Sequence, residues 1–225
     1  MSKGCMVLKR WAIVMVITAL VMGTILPVSA EVAEEDLSQQ KTETSIEKAP
    51  ETPSRYHENA MEISFESANL FAVGHEIDYH IAPQILSVHW QLDDVGNEGW
   101  LRGNTEWVTS VFYTPVINGP ENRMVGGAWG PRYNFVQPGW KLVPYMESRV
   151  GFLFTDSTDV YASQGQDFCF TFMVGVGARY DFNAQWSVAL TAFYQHISSA
   201  GLSEPDRPNY GLDAIGPNVS VLYKF

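Results

Sequence analysis

The sequence predicts an all-β protein, an eight-stranded antiparallel transmembrane β-barrel of the outer-membrane type. From Met61 onward, apolar and polar residues alternate with a period of two in eight segments, as in strands with one apolar face. Several segments have the ~10 residues that a tilted transmembrane strand needs. Short and long connections alternate along the chain, as expected when periplasmic turns alternate with longer outer loops at the two ends of a barrel.

Residues 1–30 read as a secretory signal peptide. Three basic residues precede an apolar run from Trp11 to about Pro27, and the small residues Val28-Ser29-Ala30 follow it. We expect cleavage after Ala30 and export to the bacterial outer membrane. An uncleaved anchor is the alternative, because the apolar run approaches the ~17–25 residues that cross a bilayer as a helix.

Residues 31–58 form an acidic stretch that is poor in aromatic residues. Seven carboxylates lie between Glu31 and Glu51, together with Pro50 and Pro53. Such a segment has too little apolar surface to offset the entropy of ordering it. We therefore expect a disordered linker here, and the barrel in residues 59–225.

The eight alternating segments begin near residues 61, 82, 101, 125, 140, 168, 186 and 219. In the sixth, a row of bulky residues from Phe168 to Tyr180 alternates with Gly175 and Gly177, which suit a crowded interior. We therefore assign the apolar faces to lipid and the polar faces to the interior. An eight-stranded barrel is just filled by side chains. We expect a structural network inside, hydrogen-bonded to His89 and built from charged residues: Glu62, Arg102, Glu106, Arg132, Glu147, Arg149 and Arg179.

The lengths of the connections predict which end of the barrel faces the periplasm. Residues 136–139 and 183–185 are tight turns, 93–99 is intermediate, and 155–167 and 199–212 are long. Outer-membrane barrels have short periplasmic turns and longer outer loops, so both termini should be periplasmic. The chain also ends in an aromatic residue after an alternating strand, which is typical of these barrels.

Composition excludes several other functions. The net charge of −11 argues against nucleic-acid binding, which needs a basic surface. Cys5 lies in the expected signal peptide, so Cys169 is left as a packing residue with no partner for a disulfide. The stretch from His75 to His80 lacks metal-ligand spacing. We expect no metal and no cofactor.

Candidate catalytic residues lie at the end of the seventh segment. His196 and Ser198 continue the lipid-facing row that starts at Trp186 and, at ~3.3 Å per residue and a tilt of ~40°, they reach the outer rim about 25 Å away. Asp213 has the outward parity of the eighth segment. If Trp186 lies opposite Phe225, Ser198 lies opposite Asp213. A nucleophile, a base and an orienting acid would then share one surface. The alternative is that these are ordinary polar residues at the water-exposed rim of the barrel, with no catalytic role.

The residues around this pair also carry a resemblance. His196-Ile197-Ser198-Ser199-Ala200-Gly201-Leu202, followed by Pro205, Asn209 and Gly211-Leu212-Asp213, resembles the signature of the lipid A 3-O-deacylase (PagL) family. Residues 103–107, 119–121 and 132–140 are similar to related barrels. The resemblance implies an outer-membrane serine esterase with lipid A, in lipopolysaccharide, as its substrate. Its catalytic residues would be Ser198, His196 and Asp213.

Two positions depart from that family, which has Glu where Asp213 aligns and Asn where Ser199 aligns. The resemblance implies an oxyanion hole made by the Ser199 hydroxyl and a backbone N–H near Gly201. Two alternatives stay open from the sequence. One is a catalytically inactive structural or lipid-binding barrel, and the other is an acyltransferase that uses a lipid hydroxyl in place of water.

Overall fold

The computed structural model describes residues 54–74 and 78–225, which form a closed antiparallel β-barrel. We count eight strands in these residues, two of them interrupted, and β8 pairs with β1 to close the barrel. The predicted fold class is confirmed. The strands are β1 (Met61–Ala68, continuing as Leu70–Ala72), β2 (His80–Ile81, continuing as Gln84–Gln91), β3 (Asn104–Asn118), β4 (Arg123–Asn134), β5 (Leu142–Thr155), β6 (Phe168–Asp181), β7 (Trp186–Ser198) and β8 (Leu212–Lys224).

The interruption of β1 has a local cause in β8. Asn69, between the two parts of β1, donates its N–H to the carbonyl of Pro217 at 3.0 Å, while Pro217 has no N–H to return. The neighbouring Gly216 lies so close that a Cβ there would be 1.9 Å from the Asn69 carbonyl oxygen. A residue without a side chain is therefore required at this crossing.

The pairing of β7 with β8 corrects the register expected from the sequence. Trp186 lies opposite Tyr223 instead of Phe225, and Asp213 lies opposite His196 instead of Ser198. The ladder ends where the Lys224 N–H donates to Gln185, so Phe225 falls beyond the last strand residue. A shift of two residues leaves every side chain on its predicted face.

The barrel-associated chain begins earlier than expected. Residues Ser54–Tyr56 form a 3₁₀ helix at the end of the barrel where β1 begins and β8 ends. Arg55 donates to Asp181 at 3.0 Å and to Ser187 at 2.6 Å, and the Tyr56 hydroxyl donates to Asp181 at 3.0 Å. Both side chains are buried, so Arg55 and Tyr56 pack against the barrel instead of belonging to a linker. The predicted signal peptide and residues 31–53 lie outside the described residues.

The interior near the start of β1 and the end of β8 holds the predicted charged network. Arg179 pairs with Glu62 at 2.9 Å, and Arg132 pairs with Glu147 at 2.7 Å. His89 is hydrogen-bonded as predicted, through Nδ1 to Glu106 at 2.9 Å and through Nε2 to Ser64 at 2.8 Å. Arg102 is the exception among the predicted charges. It precedes β3 and donates to the backbone carbonyl of Val136.

The interior near the outer loops holds a cluster of buried apolar side chains. This differs from the sequence prediction, which assigned the polar faces of the strands to the interior. Its buried side chains form one cluster that fills this half of the barrel and underlies the ends of β7 and β8: Ala68, Leu70, Tyr79, Ile81, Ile85, Phe112, Met124, Ala128, Leu153, Cys169, Met173, Phe193, Ile197, Leu212 and Ala214. Cys169 is confirmed as a buried packing residue.

The long outer connections pack on one another. Residues 156–167 and 199–211 are joined where the Tyr210 N–H donates to Ser163 at 3.1 Å and Arg207 pairs with Asp159 at 2.8 Å.

In the connection between β1 and β2, burial and the adjacent Glu121 carboxylate raise the pKa of Tyr79. Within the described part of the chain, no helix is long and apolar enough to cross a membrane.

Candidate active site

His196 and Ser198 have the outward parity of β7, near the outer loops. His196 is partly exposed, whereas Ser198 is only 6 % exposed because the loop after β7, with Asn209, lies against it. The intervening Ile197 points inward and pairs across the ladder with Leu212, and both are fully buried in the apolar cluster. The inward-facing Thr171 donates its hydroxyl to the His196 carbonyl oxygen at 3.0 Å. These inward contacts hold the backbone that carries His196 and Ser198.

Asp213 lies directly opposite His196 at the start of β8. His196 Nδ1 and Asp213 Oδ1 are 2.7 Å apart, and each side chain is 25 % exposed. The same carboxylate oxygen accepts a second hydrogen bond, from the Tyr194 hydroxyl, at 2.6 Å. A carboxylate in this position fixes the imidazole ring and leaves Nε2 as the nitrogen that can exchange a proton with a substrate or nucleophile.

The Ser198 hydroxyl lies within reach of two hydrogen-bond donors. The Ala200 N–H is 3.0 Å from Ser198 Oγ, and Asn209 Nδ2 is 2.9 Å from it. Ala200 has a φ of +54°, a left-handed conformation that residues with a side chain rarely adopt. Such strained positions are concentrated at functional sites, and this one aims a backbone N–H at a hydroxyl.

The two predicted oxyanion residues lie on either side of Ala200. Ser199 is fully buried, and its hydroxyl contacts Ser203 Oγ at 3.2 Å. Its backbone N–H donates to Asn209 Oδ1 at 3.3 Å. Gly201 has a φ of +79° and open space where a Cβ would lie. Asn209 thus joins the Ser199 backbone to the Ser198 hydroxyl through one amide group.

An apolar surface extends from the site over the neighbouring strand. Phe170 lies opposite Ser198, and Phe172 lies opposite His196, both on β6. Phe170 is 43 % exposed and stands at the end of a chain of ring contacts formed by Phe152, Phe154 and Phe168. This surface is therefore apolar and aromatic beside Ser198.

Sequence reasoning missed three contributors to this site. Asn209 entered only as part of a motif, because the path of a loop does not follow from periodicity. The Ala200 N–H was not foreseen either, since a positive φ at alanine has no sequence signal. Tyr194 could have been found, because it shares the outward parity of His196 two residues away.

Among the described residues, no group of three or more His, Cys, Asp or Glu could hold a metal ion. The stretch from His75 to His80 lies partly outside them.

Comparisons with known proteins identify a family and support the barrel fold. Residues 84–221 match the family profile described as lipid A 3-O-deacylase (PagL). The crystal structure of the outer membrane enzyme PagL is similar at a TM-score of 0.52 and 18 % identity, covering 71 % of this chain and 97 % of that one. The neisserial surface protein A (NspA) is similar at a TM-score of 0.54 and 13 % identity, with coverages of 73 % and 97 %. No curated protein sequence matches the chain.

Proposed function

The chain belongs to the lipid A 3-O-deacylase (PagL) family, and on this premise we propose that it is an outer-membrane serine esterase that removes the 3-O-linked acyl chain of lipid A. The family and the barrel fold support a lipid A deacylase in the bacterial outer membrane. The observation that carries the finer proposal is the 2.7 Å contact between His196 and Asp213, beside Ser198, on the outward face of the barrel.

The proposed reaction has two steps. Ser198 Oγ attacks the ester carbonyl carbon, His196 Nε2 takes the hydroxyl proton, and Asp213 stabilises the imidazolium. The tetrahedral intermediate collapses, and His196 gives the proton to the departing 3-oxygen of the sugar. Water, deprotonated by His196, then attacks the acyl-Ser198 ester, and its products are the free fatty acid and the regenerated serine.

We assign the oxyanion hole to the donors at Ser198 Oγ. The Ala200 N–H and Asn209 Nδ2 lie 3.0 and 2.9 Å from Ser198 Oγ. When Oγ bonds to the ester carbon, the carbonyl oxygen that gains the negative charge is attached to the same carbon, and we propose that the two donors turn to it. The backbone N–H near Gly201 that the resemblance implied as a donor stays a prediction. The Ser199 hydroxyl contacts Ser203, so we place the Asn209 amide in the role that the resemblance implied for Ser199.

The position of the site suits a lipid substrate. Acyl chains of the outer leaflet contact the outward face of the barrel directly, and Phe170 lies opposite Ser198 at the end of an exposed aromatic cluster. A lipid A molecule can therefore present its ester to Ser198 without leaving the leaflet. Water reaches the acyl-enzyme from the loops above.

Mass spectrometry of lipid A from cells that express the wild type or Ser198→Ala tests the proposal. We expect lipid A that has lost its 3-O-acyl chain with the wild type and intact lipid A with the variant. Intact lipid A in both would favour an inactive structural or lipid-binding barrel. Lipid A that gains an acyl chain with the wild type would favour the interpretation as an acyltransferase.

A further inference from the structure

We propose that Tyr194 is a positioning residue that holds Asp213 in the orientation that His196 requires. This inference deepens the proposed function and rests on it. Its basis is one shared atom: Asp213 Oδ1 accepts from the Tyr194 hydroxyl at 2.6 Å and from His196 Nδ1 at 2.7 Å. Two donors that converge on one oxygen fix the carboxyl group in two directions instead of one.

The barrel places these three side chains together by strand geometry. Tyr194 and His196 are two residues apart and share the outward face of β7, while Asp213 lies across the ladder opposite His196. The Tyr194 backbone lies opposite Ile215, so its hydroxyl reaches Asp213 along the diagonal. Diagonal neighbours on a sheet lie ~7–8 Å apart at their Cα atoms, a distance that a tyrosine side chain can span.

The surroundings explain why Asp213 needs a second donor. The cross-strand partners of His196 are Phe172 on β6 and Asp213 on β8, so the charged group that faces the ring from these strands is Asp213 itself. An ionised carboxylate on a surface that faces acyl chains has little water to solvate it, and it is stable only when it accepts hydrogen bonds. Tyr194 supplies such a bond from the side opposite the outer loops.

The shared oxygen also affects proton transfer. A carboxylate that accepts from Tyr194 offers less charge to the imidazolium of His196 than one that accepts from His196 alone. Replacing the hydroxyl should therefore move the acid limb of the pH–rate profile to higher pH, while the loss of the fixed orientation of the Asp213 carboxyl group should lower kcat. A tyrosine that only packs against its neighbours would not move that limb.

The test compares Tyr194→Phe with Tyr113→Phe, which makes the same change on the outward face of β3. Two readouts are used in detergent micelles: kcat and KM on lipid A across pH, and the rate at which a fluorophosphonate probe labels Ser198. A hydrogen bond to a charged group corresponds to about a 10- to 100-fold effect. We expect Tyr194→Phe to lower kcat and the labelling rate by that factor with little change in KM, and Tyr113→Phe to match the wild type.

A double-mutant cycle shows whether Tyr194 acts through Asp213. In an Asp213→Asn background, Tyr194→Phe should cause no further loss of labelling rate. An equal loss in both backgrounds, or wild-type labelling of the single variant, would overturn the proposal. Probe labelling that depends on Tyr194 without lipid A hydrolysis would support the positioning role and count against the proposed substrate. A wild type that neither hydrolyses lipid A nor labels at Ser198 would overturn both.

Discussion

Asn209→Ala should leave the barrel intact and remove most of its activity. The substitution deletes the Nδ2 donor 2.9 Å from Ser198 Oγ, one of two donors that the structure places at that oxygen. Loss of one oxyanion donor lowers kcat by ~10²–10³, which corresponds to about 2.7–4 kcal/mol of transition-state stabilisation. The substitution also removes the 3.3 Å bond from the Ser199 N–H, worth only about 1 kcal/mol of stability.

The assay is the release of fatty acid from lipid A in detergent micelles, with kcat and KM determined separately. KM should change little, because the donor acts on charge that develops in the transition state. Asn209→Asp separates the two roles of the amide, since it keeps an acceptor for Ser199 but offers no neutral donor, and it should be as inactive. Ser203→Ala, in the same loop, is the control. An Asn209→Ala enzyme within about threefold of the wild type would refute the assignment.

Three further predictions concern stability. Arg179→Met leaves buried carboxylates uncompensated and should lower the free energy of unfolding by about 3–5 kcal/mol in urea titrations, whereas Arg102→Met at the rim should cost far less. Gly126→Val should block folding in detergent, because a Cβ there lies 2.2 Å from a carbonyl oxygen of β5. Gly127→Ala, with its nearest atom at 3.3 Å, should fold, and equal folding of both would contradict the reasoning. Hydrogen bonds from Asn122, working against partial burial, lower the pKa of Asp156. The wild type should thus be more stable than Asp156→Asn at neutral pH, and this advantage should shrink below about pH 4 and vanish as the pH falls through the lowered pKa.

The faces of the barrel could be predicted from the sequence because a strand has a side-chain period of two. Parity alone assigned Ser198, His196 and Asp213 to one face, and an error of two residues in the register left that parity unchanged. The burial of Ser198 could not be predicted in this way, because it depends on the loop after β7. The register itself could not be predicted, since Tyr223 and Phe225 are both outward aromatic residues that could lie opposite Trp186. The final pairing depends on the fold of the loop that joins β7 to β8, residues 199–211.

Other features depended on contacts that no periodicity encodes. The docking of Arg55 on Asp181 and Ser187 requires knowledge of which turn lies beneath the N-terminal segment. The two donors at Ser198 depend on the fold of the loop after β7, including the positive φ of Ala200. Departures from the family pattern at Ser199 suggested a missing donor, whereas the loop brings the Asn209 amide to Ser198 instead.

Labelling of Ser198 tests the central claim most directly, because it reports on the nucleophile without assuming a substrate. A fluorophosphonate probe is added to the folded wild type and to His196→Ala, and the modified peptide is identified by mass spectrometry. The account predicts an adduct on Ser198 in the wild type and none in the variant. The absence of an adduct in the folded wild type, or equal labelling of both proteins, would contradict it.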